Sequence, residues 1–452
     1  MFKLDKRISG GDKYFALADS GVLSLGRFFF SIAIARLCLP GDFSQYVVIV
    51  SLQYILATIL STTHITPVIN LAPGLDGPER RAFFKWAHRR VLKAEAVIGL
   101  SLVAAAIPVI KSGISGWHYA GCVLATLALI ESGYHRGCIQ SIFQTRWALL
   151  ADGIAILLTV TAITGALYAG MSPLLAFWWG SAAGGLVASL MMQAIWKKGP
   201  SAASPPVGLD AELQANGMAM LRGSVANSLC SRIQPSVLSS LGGTMAVAHF
   251  GAAWTLVGPM RMMSAALNGI LRPRLSVHRS NADNAAFNKL LMTVLGVLFG
   301  AGLCGLVLFF PAGEFIAAMI FGEALAGAGK LLPLAVAYGT LDAMTTTLMI
   351  AMQVGNLKGA RAASRMRIEA AILSMVLLVP ACLYMGAAGA LGSLLIAEIL
   401  YAVRASLYLT RNGFPLLDTC LWQTGNRASV EGFQKPTVQE GPVSVPTVPS
   451  AQ

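Results

Sequence analysis

The sequence predicts an all-α polytopic membrane protein of about twelve transmembrane helices, arranged as two six-helix lobes around a central cationic cavity. Three observations carry this. Of 452 residues, 56% are hydrophobic and only 12% charged, a balance outside that of soluble domains. Apolar runs of about 20 residues, the length that crosses a bilayer core, recur along the whole chain. Basic residues collect in alternate connections between those runs, as the positive-inside rule requires.

Taken in order, the spans fall near 15–37, 44–68, 92–110, 117–135, 148–169, 173–195, 221–241, 245–270, 288–310, 331–353, 367–385 and 388–409. The basic start Met1–Lys13 precedes a run too long for a signal peptide and interrupted by Arg27, so it is expected to be an uncleaved first span. Connections on the side of the N-terminus hold Lys3, Lys6, Arg7 and Lys13, then Arg80, Arg81, Lys85, Arg89 and Arg90, then Arg136 and Arg146, and so on to Arg411. The opposite connections hold little beyond Lys111 and Lys330. The net charge of +13 is therefore assigned to topology, not to nucleic acid, and both termini are expected in the cytoplasm.

The longest of the opposite connections, around Pro311–Lys330, has room for no more than a small surface helix. The stretch 199–220, with Gly199-Pro200 and Ser204-Pro205-Pro206, reads as a cytoplasmic linker between an N-terminal lobe, 1–198, and a C-terminal lobe, 221–411. The tail 412–452, rich in proline from Thr424 onward, is expected to be cytoplasmic and largely disordered. Seven scattered cysteines show no metal-ligand or disulfide spacing and read as small core residues.

Within the apolar runs, polar residues fall on single helical faces. Leu221–Leu241 carries Ser224, Asn227, Ser231 and Gln234 on one face, with Arg222 and Arg232 in the same run before Pro235, and Met245–Ile270 carries Arg261, Ser264 and Asn268. The first span carries Ser20, Ser24, Arg27 and Ser31, and the second carries Tyr54, Thr58, Ser61 and Thr62. Hydroxyls alone are common in helix packing. A permanent cation at bilayer depth is costly and marks a water-filled cavity or a buried partner. Arg27, Arg232 and Arg261 are therefore the leading site candidates, with Ser24, Asn227, Gln234 and Asn268 beside them. Arg36 and Arg222 lie near span ends, where a long side chain reaches the interface. Superposing Phe43 on Phe250 brings Arg27 to within two residues of Arg232, a faint parallel between the lobes.

Asp342 and Glu398 are the deepest carboxylates. Each is either an ion-coupling group for a proton or sodium or a fixed partner for an arginine. No P-loop, HExxH or nucleophile elbow occurs, and no soluble domain stands ready to hold one. Neither a catalytic residue, nor a metal ligand, nor a cofactor is expected.

At three places the chain resembles the polysaccharide flippases of the multidrug/oligosaccharidyl-lipid/polysaccharide exporter superfamily. These are Leu37–Tyr46 with Ala35-Arg36 before it, Ala248–Gly258 with Pro259, and Ala266–Ser276. The resemblance implies a V-shaped pair of lobes opening alternately to either side. It implies a cargo too: an undecaprenyl-pyrophosphate-linked oligosaccharide carried to the periplasmic leaflet for exopolysaccharide or O-antigen synthesis. A cationic cavity would receive the pyrophosphate at Arg27, Arg232 and Arg261. Membrane lipids, and a polysaccharide polymerase with its export machinery, are the implied partners. A drug/cation antiporter of the same superfamily would want a cavity dominated by carboxylates, and a membrane oligosaccharide polymerase would want a large outer loop. A symporter with two six-span halves would want a glycine- and arginine-rich signature that the connection Pro73–Arg90 lacks.

A cysteine introduced between Gly199 and Ala211 should resist a membrane-impermeant thiol reagent in intact cells and react after permeabilisation. Labelling in intact cells would invert the topology.

Overall fold

The computed structural model describes residues 10–72, 75–105, 115–142, 144–198, 209–280, 283–355 and 357–412. Among them no strand occurs. The chain opens with α1 (Gly10–Leu37). Next, α2 (Pro40–Leu60) runs through a π-helical turn, Ser61–Ile65, into α3 (Thr66–Leu71). Then come α4 (Gly77–Ala104), α5 (Gly116–Ser141), α6 (Thr145–Tyr168) and α7 (Pro173–Trp196). The second half holds α8 (Leu209–Arg232), α9 (Gln234–Leu241), α10 (Gly243–Leu256) and α11 (Gly258–Ser280). It continues with α12 (Asn284–Phe321), a 3-10 segment Glu323–Leu331, α13 (Leu332–Gly355) and α14 (Leu357–Arg411). Gly386, at φ 55° and ψ −129°, breaks α14 into two crossings, a conformation that glycine adopts without a Cβ penalty.

The expected order of crossings is thus reproduced. Among the described residues, six helical stretches qualify as spans by length and composition alone, including Pro40–Ile69, Pro173–Trp196 and Asn284–Phe321. The other crossings carry charge or a break, as α1 does with Arg27 and α8 with Arg222 and Arg232. Two expectations need correction. Residues 209–220, read as linker, are helical from Leu209, while 199–208 and the tail from 413 lie outside the described residues. The helix expected to end near 310 runs through Pro311 to Phe321 before the 3-10 segment begins. The added turns are apolar except for Glu314, which lies 3.9 Å from Lys330, and the missing proline hydrogen bond is a local cost.

Two ends of the bundle can be told apart. At the turn end, α1 passes into α2 and α9 into α10. At the opposite, linker end the chain leaves the helices that finish at Leu71, Trp196 and Ser280. One buried apolar cluster at the turn end draws on both halves, joining Phe43, Tyr46 and Trp178 to Leu238, Val247 and Phe250. Toward the linker end the cores separate. Phe83, Tyr134 and Trp196 belong to a cluster of the first half, and Leu271, Phe287 and Tyr401 to one of the second. The halves are therefore sealed together at the turn end. Arg36 adds to the seal. It does not reach away to the interface but crosses to the second half, donating to the Ile320 carbonyl at 2.6 Å and to the Met319 carbonyl. These are carbonyls of the last turn of α12, where acceptors are left unpaired and a cation is favourable.

Candidate functional site

A cavity of about 470 Å³ lies between the halves, and Arg27, Arg232 and Arg261 all line it. Each arginine sits where the local backbone brings it inward. Arg27 projects from the unbroken middle of α1. Arg232 ends α8 because Pro235 cannot donate to the carbonyl of Ser231, and the chain re-forms as α9 with Val237 N bonded to Ile233 O at 3.1 Å. Arg261 opens α11 just after Pro259, where Met260 N reaches Val257 O at 3.1 Å. Two prolines thus interrupt adjacent helices at membrane depth, each beside a cavity arginine. Such interruption is tolerated in lipid only where the freed groups face protein or a cavity.

Among the described residues, none of the three guanidiniums has a carboxylate within 4.0 Å or makes a side-chain hydrogen bond. Aromatic faces hold them instead. Arg27 lies 5.3 Å and Arg232 4.3 Å from the Tyr54 ring centre. Arg232 and Arg261 lie 5.9 Å and 3.6 Å from the Trp254 ring centre. A cation over an aromatic face is attracted by the ring quadrupole yet keeps its charge.

The acidic groups are engaged elsewhere. Asp342 and Glu398 share Arg367, at 3.8 Å and 2.5 Å, and Thr345 donates to Glu398 at 2.6 Å. In the first half Arg136 pairs with Asp152 and stands 3.9 Å from Asp19. Each half therefore folds one arginine against two carboxylates, away from the cavity trio, although Asp152 reaches the cavity wall.

Of the other expected site residues, Ser24 lines the cavity and Asn227 is absent from its lining. Gln234 is 1% exposed and its amide donates to Cys230 O at 3.2 Å, so it serves the helix end freed by Pro235. The side chain of Asn268 lies outside the described residues. Sequence reasoning missed Trp254, Arg367 and the grouping of Arg136 with Asp19 and Asp152. An indole seven residues before Arg261 is a weak signal in a helix already rich in large apolar groups.

It also missed a cluster in the first half, where His88 and His135 approach the same Glu131 oxygen at 2.6 Å and 3.0 Å. The three ligand atoms lie within 4.8 Å of one another, a spacing that suits a metal ion. The hydrogen bonding argues against one. The indole N–H of Trp196 donates to His135 Nδ1 at 2.9 Å, which leaves the ring proton on Nε2, the atom a metal would need bare. His135 is thus a donor to Glu131.

No family model matches the sequence, and no curated protein matches it. Solved structures match in fold. A lipid II flippase, MurJ, in an inward closed conformation aligns with a TM-score of 0.68 at 13% identity, over 88% of this chain and 87% of that one. An inward-facing multidrug resistance MATE family transporter of the MOP superfamily aligns with a TM-score of 0.65 at 14% identity, over 88% and 95%. A MOP superfamily transporter from Pyrococcus furiosus, described as having a binding pocket of reversed polarity, gives 0.61 at 13%, over 88% and 96%. The chain therefore has the fold of these transporters and is a multi-pass membrane protein.

The two kinds of arginine should respond oppositely to removal. Arg261→Met deletes a buried cation that has no counter-ion, so thermal unfolding of the purified protein should shift upward, by about 1 kcal/mol or more. Arg367→Met strands two carboxylates, one of them buried, and should destabilise by about 3–5 kcal/mol. Equal losses would mean that Arg261 is held as firmly as Arg367.

Proposed function

We propose that the protein is a flippase for a polyprenyl-diphosphate-linked oligosaccharide, exposing its cavity alternately to either side of a bacterial inner membrane. The observation that carries this reading is the cavity itself: three arginines drawn from both halves, with no carboxylate among the described residues against any of them. Guanidinium cannot lose its charge and presents a fixed fork of donors that matches phosphate oxygens. The other walls supply hydroxyls from Ser24, Ser51, Thr159 and Ser181, a fit for a sugar. The cargo is taken to be an undecaprenyl-pyrophosphate-linked repeat unit for exopolysaccharide or O-antigen synthesis, moving from the cytoplasmic to the periplasmic leaflet.

With the termini cytoplasmic, the sealed turn end is periplasmic and the separated cores face the cytoplasm, the state that would load cargo. An N-terminal lobe over 1–198 and a C-terminal lobe over 221–411 would rock about that seal, their connecting segment and tail staying cytoplasmic. Outward movement of an anionic lipid opposes the membrane potential at about 2.3 kcal/mol per charge per 100 mV. An ion gradient or removal of product must supply that work. Asp342 is the candidate coupling group, because it is the looser and more exposed partner of Arg367, its side chain 24% exposed against 6% for Glu398.

The test is binding by the purified full chain in detergent. Undecaprenyl diphosphate should bind, more weakly as salt rises, and Arg27→Gln, Arg232→Gln and Arg261→Gln should each cost about tenfold. Preference for a cationic dye over the lipid diphosphate would favour the drug/cation antiporter instead.

For coupling, Asp342→Asn should retain binding while flipping in proteoliposomes loses its dependence on the ion gradient. Persistent gradient dependence would leave Asp342 as a fixed partner of Arg367.

A further inference from the structure

Three guanidiniums in one cavity repel each other, and among the described residues no salt bridge fixes their positions. Something else must hold them in register. Two rings stand between them. Tyr54, from the first half, lies against both Arg27 and Arg232. Trp254, from the second half, lies against both Arg232 and Arg261. The order across the cavity is arginine, ring, arginine, ring, arginine. Each neighbouring pair of cations thus shares one aromatic group, which attracts both and neutralises neither.

Trp254 is the better anchored ring. It stacks on Phe250 with centroids 5.4 Å apart and planes 20° apart, and on Tyr338 at 5.3 Å and 21°. Both partners are buried, at 1% and 2% exposure. Two glycines let the supporting helices close in. A Cβ on Gly251 would stand 2.3 Å from a Val47 methyl, and one on Gly339 would stand 2.2 Å from a Val257 methyl. The first approach brings α2, with Tyr54, against α10. The second brings α13, with Tyr338, against the break between α10 and α11.

We propose that Trp254 is a positioning residue of the anion site: its ring, clamped by Phe250 and Tyr338, sets Arg232 and Arg261 at the spacing that takes a diphosphate together with Arg27. This rests on the reading of the cavity as a diphosphate site and adds the element that sets its geometry. Selectivity for two linked phosphates over one follows, because a single phosphate can engage one arginine at its own optimum, whereas a diphosphate needs two held at fixed separation.

The test uses inorganic pyrophosphate and orthophosphate as probes on the purified full chain, comparing Trp254→Leu with Trp254→Phe, which keeps an aromatic face. Leucine should weaken pyrophosphate binding about tenfold and reduce the pyrophosphate-to-orthophosphate preference, while phenylalanine stays within about threefold of the parent. In an Arg261→Met background, Trp254→Leu should cost little further. A residue that merely fills the core would lower the melting temperature without changing the preference between probes, and that result would overturn the proposal. Should the parent chain bind no pyrophosphate, the diphosphate reading falls, and thermal unfolding decides the positioning role. Trp254→Leu must then destabilise the parent more than it destabilises Arg261→Met, since the ring's task is to hold that cation. Additive shifts would reject it.

Discussion

A guanidinium in the membrane interior without a carboxylate beside it is the constraint from which the rest of this structure follows. Low dielectric makes each such charge expensive and makes three of them repel. The chain meets that constraint by opening a cavity at the charges, by setting aromatic faces beside them, and by keeping its acidic groups occupied elsewhere. The proline breaks at Pro235 and Pro259 belong to the same solution. They end and restart helices at the depth of Arg232 and Arg261, and Gln234 turns its amide back to Cys230 O to satisfy the helix end so created.

The architecture that surrounds the cavity is asymmetric along its axis. Large side chains of both halves merge into one cluster at the turn end, with Arg36 bound across to α12, while near the linker end each half closes over its own core. The large buried side chains of those two cores each belong to one half, so separation there would break the packing of α8 on Ser61–Leu71 and leave either core intact. Separation at the turn end would uncover Phe43, Tyr46 and Phe250, and other contacts would have to form in exchange.

Much of this was legible in the sequence, because hydropathy and loop charge are local and repeat along the chain. The cost of a buried cation is likewise local, so Arg27, Arg232 and Arg261 could be singled out one helix at a time. What brings them together is the packing of α1, α8 and α11, which no single span reveals. The same reasoning went astray with Gln234, whose polar stripe is real but serves the backbone freed by the proline beside it. It could not see that Asp342 and Glu398 would meet Arg367, a residue 25 and 31 positions away at the rim of its span. The grouping of His88 with Glu131 and His135, and of Trp254 with two arginines, needs three-dimensional neighbours as well. Periodicity finds the face of a helix and not what lies across from it.

The two clusters in which one arginine meets two carboxylates, Arg136 with Asp19 and Asp152 and Arg367 with Asp342 and Glu398, each carry one surplus negative formal charge. They flank, in opposite halves, a cavity with three positive ones. Together they offset two of those three, so this set of groups carries a net formal charge of +1 seen from a distance, while the cavity wall is strongly positive. A polyanion would meet a field that is steep nearby and weaker farther off, because the acidic clusters offset two of the three cavity charges. Such a multipole captures at short range and also lets go. A bare trio of arginines, uncompensated anywhere in the protein, would attract anions from farther away and hold them in a deeper well.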